Sequence, residues 1–180
     1  MPDLEFELRE IGEADQLRSL KLGDPALRPL KTFLQRDAKR YHATDLAKTY
    51  GIFIENAGRQ KVIGYITLIC ADVATSDVQR PAEDDVDFRY PSFPAVKIAR
   101  LAVHSDYQGK YRLGTMLVQF ALGLVKNSIC PHVGCRFVVV DAKRQSVSFY
   151  GRVGFTMLDT KENRDRPEPI MFVDMTKISA

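Results

Sequence analysis

The first regular pattern along the chain is an alternation of apolar and polar residues over 4–9, which predicts a strand with one buried face. A helical pattern follows and begins near Pro29, a residue suited to the first turn of a helix. Its apolar residues recur at spacings of three and four and would share one face: Leu30, Phe33, Leu34, Ala38 and Tyr41. The start of the chain is therefore predicted as a strand followed by a helix.

Two β-rich segments come next, at 49–55 and 61–73, and both are enriched in β-branched and aromatic residues. The segment Asn56-Ala57-Gly58-Arg59 between them has the composition of a tight turn and predicts a hairpin. Residues 74–95 interrupt the pattern with prolines and carboxylates and predict a long loop. A further strand is predicted at 96–104.

The C-terminal half continues with a strict helical stripe over 113–125. A nearly continuous apolar run at 135–141 predicts a strand that is covered on both faces. A short helix is predicted at about 143–150, and two strands at 154–159 and 169–175. The order is strand, helix, three strands, helix, strand, helix and two strands, which is typical of a mixed α/β sheet.

The composition predicts one globular domain over residues 1–180. Apolar residues make up 45% of the chain and charged residues 27%, and 180 residues suffice to bury one substantial core. No apolar run approaches the roughly 20 residues that a membrane span needs. The acidic start, Met1-Pro2-Asp3-Leu4-Glu5, lacks the apolar region of a signal peptide. We therefore expect a cytoplasmic protein without a membrane partner.

The net charge of +3 is unevenly distributed. Residues 28–48 hold six basic residues against two acidic ones, a local charge of +4. Residues 74–90 hold five acidic residues against two basic ones, a local charge of −3. Arg36 and Arg40 are four residues apart and would share a helical face, so the basic segment could present a patch to an anionic partner.

The three cysteines, Cys70, Cys130 and Cys135, are too sparse for a disulfide framework and predict reduced thiols. His132 lies between two of them, but no second pair at metal-ligand spacing accompanies this trio. The sequence therefore predicts no metal site.

The sharpest local pattern is Gln108–Thr115, Gln-Gly-Lys-Tyr-Arg-Leu-Gly-Thr, which joins the strand at 96–104 to the helical stripe. Free N–H groups at a helix start attract anions, and glycines let a phosphate approach the backbone. Lys110 and Arg112 add positive charge at the same place. The segment predicts a phosphate or pyrophosphate cradle, with an ordinary turn as the alternative. It fits neither the Walker pattern nor the Rossmann fingerprint, because Thr115-Met116 follows Gly114 and a third glycine is missing.

This strand, loop and helix resemble motif A of the GNAT N-acetyltransferases, which reads Gln/Arg-x-x-Gly-x-Gly/Ala. About 40 residues later, the segment 141–155 resembles motif B, with Phe149-Tyr150 on its helix and Gly154-Phe155 after it. Two motifs in the family's order and at its distance are more specific than either alone, and the resemblance covers residues 49–175 well. It implies the α/β GNAT fold, a mixed and mostly antiparallel sheet of about six to seven strands, splayed at the centre, with helices on both faces.

The resemblance also implies transfer of an acetyl group from acetyl-CoA to a primary amine by direct attack in a ternary complex. Tyr150 matches the family tyrosine that donates a proton to the departing CoA thiolate, and simple packing of this ring is the alternative. The strand backbone at Leu101, Ala102 and Val103 would bind the pantetheine arm and the thioester oxyanion. The other residues expected to bind acetyl-CoA are Gln108, Gly109, Lys110, Arg112, Leu113, Gly114, Thr115, Ser146 and Phe149.

One departure from motif A concerns its middle glycine. If Gln108 aligns with the motif's Gln, the loop has one extra residue and Tyr111-Arg112 stands where one Gly would be. If Gly114 sets the register, Arg112 replaces the middle Gly and Gly109 replaces the Gln. In both registers a non-glycine residue occupies backbone that favours a positive φ. The loop then either bulges or uses the Arg112 side chain to bind a CoA phosphate.

No general base is evident. Family members that acetylate lysine use a Glu on the motif A strand, whereas residues 97–103 contain no carboxylate. His104 is the titratable candidate near the strand end, although a surface histidine is the favoured interpretation. An α-amine with a pKa near 8 is partly neutral unaided, whereas a lysine amine with a pKa near 10.4 is mostly charged. The sequence therefore favours an α-amine acceptor, or water as the proton carrier.

A second, weaker resemblance is to the GNAT toxins of bacterial toxin–antitoxin pairs, which acetylate the α-amine of aminoacyl-tRNA. It rests on the layout of segments 30–38, 49–50, 64–68 and 94–103. It implies aminoacyl-tRNA and an antitoxin protein as partners, and a solvated helix face is the alternative for the basic residues. The candidate substrate-binding residues are Arg36, Arg40, Arg100 and His104.

Three functions therefore remain open. The chain is an N-acetyltransferase for a small molecule or a peptide, a toxin that acetylates aminoacyl-tRNA, or an acyl-CoA-binding module that is no longer catalytic. A homodimer is one option for its assembly.

Overall fold

The computed structural model describes residues 4–74 and 88–178. Within these residues the chain divides into two compact units. The first unit holds 4–69 and 99–121, and the second holds 70–74, 88–98 and 122–178. The predicted single domain stays a prediction, and most of the long loop predicted at 74–95 lies outside the described residues.

Within the described residues seven strands form one open, mixed sheet in the order β1-β2-β3-β4-β5-β7-β6. Antiparallel ladders join β1 to β2, β2 to β3, β5 to β7 and β6 to β7, whereas β4 and β5 run parallel. The predicted mixed, mostly antiparallel sheet is therefore confirmed. The strands are β1 (Glu7–Glu10), β2 (Lys48–Asn56), β3 (Arg59–Ala74), β4 (Ser92–Val103), β5 (Phe137–Asp141), β6 (Thr156–Met157) and β7 (Ile170–Asp174).

The helical elements differ from the prediction in three places. The single helix expected from Pro29 to Tyr41 is divided at Asp37 into two helices. A π-helical turn, Val125–Ile129, extends the third helix. The helices are α1 (Arg28–Arg36), α2 (Ala38–Ala43), α3 (Leu113–Leu124), α4 (Val147–Arg152) and α5 (Lys161–Asp165), and α5 was not predicted.

The core of the first unit lies where the α1–α2 pair packs on the strands. The predicted helical stripe supplies Phe33, Leu34 and Ala38, and each is buried. Burial of one large apolar side chain contributes about 1.5–3 kcal/mol, so this face accounts for much of the helix stability. The hydroxyl of Tyr65 donates to the Leu30 carbonyl oxygen at 2.7 Å and so joins β3 to α1.

The β2–β3 hairpin has the predicted turn. Ala57 and Gly58 both have a positive φ, of 52° and 70°, which suits the primed turns that join twisted strands. Thr49 and Thr67 are register partners on the two strands, and both are fully buried. Their hydroxyl oxygens lie 2.9 Å apart, so one hydroxyl donates to the other and a single hydrogen bond pairs them.

An aromatic cluster forms the centre of the second unit. Phe137 on β5 makes edge contacts with Phe93 and Phe172, at centroid distances of 5.4 Å and 5.5 Å. The buried Asn163 on α5 donates to the carbonyl oxygens of Leu158 and Ile170 and accepts from Ile170 N. This side chain therefore holds α5 against the start of β7.

Candidate functional site

The loop that leaves β4 is folded by short-range hydrogen bonds. Residues Ser105–Tyr107 form a 3-10 turn, and Gln108 Nε2 then reaches back to the Val103 carbonyl oxygen at 2.8 Å. Gly109 follows with a φ of +73°, a conformation that glycine adopts without strain. The chain reverses here and turns toward the start of α3.

Arg112 has a φ of +53°, so a non-glycine residue adopts the left-handed backbone at the motif's altered position. The Met116 amide donates to the Arg112 carbonyl oxygen at 3.0 Å, and α3 begins at Leu113. The amides of residues 113–115 therefore belong to the helix start, where N–H groups lack intrahelical acceptors. The side chains of Lys110 and Arg112 are exposed beside them. This arrangement fits an anionic phosphate group.

The last residues of β4 combine packing with backbone approach. Ala102 is buried in the core of the first unit, and its neighbours Leu101 and Val103 are half-buried. A Cβ added at Gly64 would lie 3.4 Å from the Ala102 carbonyl oxygen, so β3 passes within van der Waals distance of this part of β4. The backbone from Leu101 to Val103 thus leads directly into the loop from Gln108 to Thr115.

His104 lies at the end of β4, and the surface position expected for it is wrong. Its side chain is 0% exposed. Nδ1 accepts a hydrogen bond from the Asp106 amide at 3.2 Å, and burial lowers the pKa of the imidazole below its usual value. A buried, neutral ring whose Nδ1 is occupied is poorly suited to taking a proton from a substrate.

Tyr150 belongs to the second unit, on α4. It is buried, and its ring makes edge contacts with Phe149 at 5.1 Å and Phe155 at 5.4 Å. Burial raises the pKa of the phenol above its usual value of 10, so it keeps its proton at neutral pH. Among the described residues its hydroxyl has no hydrogen-bond partner. The ring is therefore packed, as the alternative has it, and the role of the hydroxyl stays a prediction.

The segment around Tyr150 is held by backbone contacts. Ser146 ends a 3-10 turn in which its amide donates to the Lys143 carbonyl oxygen at 2.7 Å, and α4 follows. The Arg144 guanidinium donates to the backbone carbonyls of Arg164 and Arg166. Ser146, Phe149 and Tyr150 therefore lie on a short, well-anchored helical segment.

The basic residues of the first unit do not form one helical face. Arg36 ends α1 and Arg40 lies on α2, because Asp37 separates the two helices, and both side chains are exposed. Arg100 instead lies over the Phe33 ring, with its guanidinium carbon 3.8 Å from the ring centroid. This pair lines a cleft of about 380 Å³ together with Arg28, Thr32, Asp37 and Tyr41.

This cleft was not predicted, although Arg100 was. Its residues come from two sequence regions that no local pattern connects, and only the fold brings Arg100 on β4 to Phe33 on α1. Two guanidinium groups, two aromatic rings, a hydroxyl and a carboxylate can together bind a ligand that carries an anion and a planar or apolar group.

Over residues 4–74 and 88–178, no group of three or more His, Cys, Asp or Glu side chains could hold a metal ion. The three cysteines are free thiols. In the same residues, no helix is long and apolar enough to cross a membrane.

Solved structures with the same fold include that of the toxin AtaT. A structure of AtaT complexed with acetyl-methionyl-tRNAfMet has a TM-score of 0.80 at 23% identity and covers 96% of each chain. A variant of KacT with one tyrosine replaced by phenylalanine has a TM-score of 0.79 at 22% identity and covers 95% of each chain. A structure of AtaTR bound with acetyl-CoA has a TM-score of 0.74 at 23% identity and covers 95% of this chain and 94% of that one.

These similarities show the GNAT fold that the two motifs imply. No curated protein sequence matches this chain. Residues 89–179, just over half of the sequence, match the family model described as an acetyltransferase (GNAT) domain. The chain therefore belongs to the GNAT acetyltransferases, enzymes that take the acetyl group from acetyl-CoA.

Proposed function

We propose that this protein transfers the acetyl group of acetyl-CoA directly to a primary amine in a ternary complex. The observation that carries the proposal is the loop Gln108–Thr115, in which two left-handed residues, two exposed cations and a helix start come together. Charge-assisted hydrogen bonds to a pyrophosphate are the chemistry that this combination serves.

Within this proposal the loop residues make different contacts with acetyl-CoA. The amides of Leu113, Gly114 and Thr115 would donate to the pyrophosphate oxygens, and Lys110 and Arg112 would neutralise their charge. Gln108 and Gly109 would shape the turn that exposes these groups. The backbone of Leu101, Ala102 and Val103 would hold the pantetheine arm and donate to the carbonyl oxygen under attack. Ser146 and Phe149 would complete the acetyl-CoA contacts.

Tyr150 is the general acid in this proposal. When the amine attacks the thioester carbonyl, the bond to sulfur breaks and the thiolate leaves with a negative charge. The Tyr150 hydroxyl gives its proton to that sulfur, and bulk water later restores the proton. The support is a phenol that is protonated at neutral pH, packed between two aromatic rings and without an internal hydrogen-bond partner among the described residues.

The acceptor amine must lose a proton, and no side chain on the last part of β4 takes it. Residues 97–103 contain no carboxylate, and His104 is buried with Nδ1 engaged. An acceptor with an α-amine of pKa near 8 needs no dedicated base, because a substantial fraction is already neutral at pH 7–8. We therefore propose an α-amine as the preferred acceptor, with water as the proton carrier.

The test measures CoA release from acetyl-CoA with a panel that pairs α-amines with lysine-type amines. The wild type should turn over α-amines faster, and Tyr150→Phe should lower kcat roughly 10²- to 10⁴-fold. Tyr90→Phe, at an exposed tyrosine, is the matched control and should behave as the wild type. Unchanged turnover in Tyr150→Phe would remove the general-acid role. Acetyl-CoA binding without turnover of any amine would instead indicate a non-catalytic acyl-CoA-binding module.

A second candidate function is that of a toxin that acetylates the α-amine of aminoacyl-tRNA. Its support is the local charge of +4 over 28–48, the paired arginines of the cleft, and the fold shared with AtaT and KacT. Arg36, Arg40 and Arg100 would face the nucleic acid. An antitoxin protein would then be a partner of this chain, as in the structures of AtaT bound to the C-terminus of AtaR.

Cell-free translation separates the two candidates. Purified protein with acetyl-CoA should stop protein synthesis if the chain is a toxin, and Tyr150→Phe should restore synthesis. Undiminished synthesis with the active wild-type enzyme would exclude the toxin and leave a free amine or a peptide as the acceptor. A small DNA-binding protein encoded next to this gene would support the toxin independently.

A further inference from the structure

His104 is enclosed in the first unit, and its backbone amide and its ring each make a hydrogen bond to the backbone. Its own amide donates to the Ile63 carbonyl oxygen at 2.8 Å, which fixes the end of β4 against β3. Its Nδ1 accepts from the Asp106 amide at 3.2 Å and so caps the 3-10 turn Ser105–Tyr107. The ring also meets the Tyr107 ring edge-on, with centroids 5.6 Å apart.

This cap determines the tautomer. Because Nδ1 accepts a hydrogen bond, the neutral ring carries its proton on Nε2. Nε2 is buried, and the Ser19 backbone faces it outside good hydrogen-bond geometry. An unsatisfied buried donor costs stability. The cap at Nδ1 and the edge contact with Tyr107 offset that cost.

The capped turn is also where the loop begins. The Tyr107 amide donates to the His104 carbonyl oxygen at 2.9 Å, and Gln108 then reaches back to the Val103 carbonyl oxygen. The Ser105 amide donates to the Lys21 carbonyl oxygen at 2.9 Å, which anchors the same turn from outside. The backbone from His104 to Gln108 is therefore fixed before the chain reaches Gly109, Lys110 and Arg112.

The geometry points to His104 as a positioning residue for acetyl-CoA. Its Nδ1 holds the turn Ser105–Tyr107, and that turn sets where the loop Gln108–Thr115 presents its amides and cations. His104 itself touches neither reactant. The inference rests on the proposed function, which assigns acetyl-CoA to that loop. It adds that His104 keeps the loop ordered before acetyl-CoA binds.

Burial and two nearby lysines oppose protonation of the ring. Lys21 and Lys61 approach it from two different segments of the first unit, and the Asp106 carboxylate, 3.9 Å from Nδ1, acts in the opposite sense. Protonation on Nδ1 would convert the acceptor into a donor that faces the Asp106 amide. The cap would then be lost, so acidification should loosen the loop.

Two variants separate the cap from the packing. Asn at this position keeps an acceptor, Oδ1, that bonds the amide two residues ahead, as in an Asx turn. Phe keeps a buried ring and the edge contact with Tyr107 but has no acceptor. His104→Phe should raise KM for acetyl-CoA roughly 3- to 30-fold, the range expected for a lost cap, with kcat within about 3-fold. His104→Asn should restore KM to within about 3-fold of the wild type.

A second readout does not depend on acetyl-CoA. Trypsin cleaves after Lys110 and Arg112, and cleavage of the native protein there reports the order of the loop. His104→Phe should be cut faster than the wild type at pH 8, and His104→Asn should not. For the wild type, limited digestion by a protease active at low pH should accelerate at the same loop as the pH falls below 6, and His104→Asn should lack this acceleration.

The outcomes are distinct. If folded His104→Phe keeps the wild-type KM and cleavage rate, the positioning role is wrong. If His104→Asn fails as His104→Phe does, the ring acts through packing alone, and the cap is excluded. A further outcome is that the wild type binds no acetyl-CoA by calorimetry, while His104→Phe is cut faster and His104→Asn is not. In that case the proposed function fails and the loop-ordering role of His104 stands.

Discussion

The guanidinium of Arg100 stacks on the ring of Phe33, with 3.8 Å between the guanidinium carbon and the ring centroid. Arg100 is thereby held in the cleft, because the ring fixes a side chain that would otherwise sample many rotamers. Arg100→Met keeps the apolar stem and removes the charge. We expect the free energy of unfolding to fall by about 0.5–1 kcal/mol, measured by urea denaturation.

The same variant tests the cleft as an acceptor site. Once an acceptor is identified, Arg100→Met should raise KM for that acceptor and leave KM for acetyl-CoA within about 2-fold. Arg100→Lys retains a cation but lacks the planar stacking surface. Its KM for the acceptor should therefore lie between those of the wild type and Arg100→Met. An unchanged acceptor KM in Arg100→Met would remove Arg100 from substrate binding.

Burial of Tyr150 leads to a prediction about pH. Because the pKa of its phenol is raised above 10, the hydroxyl stays protonated throughout the range in which amines become neutral. We expect kcat to rise with pH up to about 9 without a basic limb from this residue. A fall of kcat between pH 8 and 9, measured with a stable wild-type protein, would contradict a buried phenol as the proton donor.

Arg112 combines a left-handed backbone with an exposed cation, and substitution separates the two. Arg112→Gly should relieve the backbone and raise the free energy of unfolding by about 0.5–1 kcal/mol. It should also weaken acetyl-CoA binding roughly 2- to 10-fold, because one charge near the phosphates is lost. Calorimetric titration with acetyl-CoA measures the second effect.

Arg112→Lys is the matched control, since it keeps the charge and the backbone strain. Its affinity should stay close to that of the wild type. If Arg112→Gly binds acetyl-CoA as tightly as the wild type, the side chain has no part in binding, and the residue serves only the path of the loop.

A partly buried ion pair stabilises the start of the first unit. Arg9 donates to both carboxylate oxygens of Asp15 at 2.8 Å, and the Gly12 amide donates to the same group. The hydrogen bond from Arg9 is the main reason that the pKa of Asp15 lies below its usual value. Asp15→Asn should lower the free energy of unfolding by about 1–3 kcal/mol at pH 7.

The sign of the pH effect follows from that lowered pKa. The ionised Asp15 contributes its full stabilisation above pH 4, and the contribution is lost as the pH falls through the folded-state pKa. The difference in the free energy of unfolding between the wild type and Asp15→Asn should therefore become smaller below pH 4, as measured by denaturation. Glu13→Gln, at an exposed neighbour, should show little difference from the wild type at any pH.

Much of the fold could be predicted from periodicity. The stripe over 113–125 became α3, and the turn at 56–59 joined β2 to β3, because apolar spacing and turn residues are local properties. The helix α5, Lys161–Asp165, has no apolar residue and only five residues, so no pattern revealed it. The break at Asp37 contains neither glycine nor proline, so no local residue pattern marks it.

The candidate site was predicted unevenly for a similar reason. The phosphate loop lies in one continuous segment, and its residues could be identified one by one. The burial of His104 and the cleft around Arg100 depend on contacts between distant segments, with Ile63 in one case and Phe33 in the other. A polar residue at a strand end gives no indication of whether water or protein surrounds it.

The hydroxyl pair of Thr49 and Thr67 has a consequence for how this sequence can diverge. Replacing one threonine by valine leaves the other hydroxyl buried without a hydrogen-bond partner. Replacing both threonines by valine exchanges one hydrogen bond for an apolar contact of the same shape. Homologues that retain this register should therefore carry two hydroxyl residues or two aliphatic residues at these positions and rarely one of each. Covariation of these two positions would then reflect packing of the core and not the reaction that the protein catalyses.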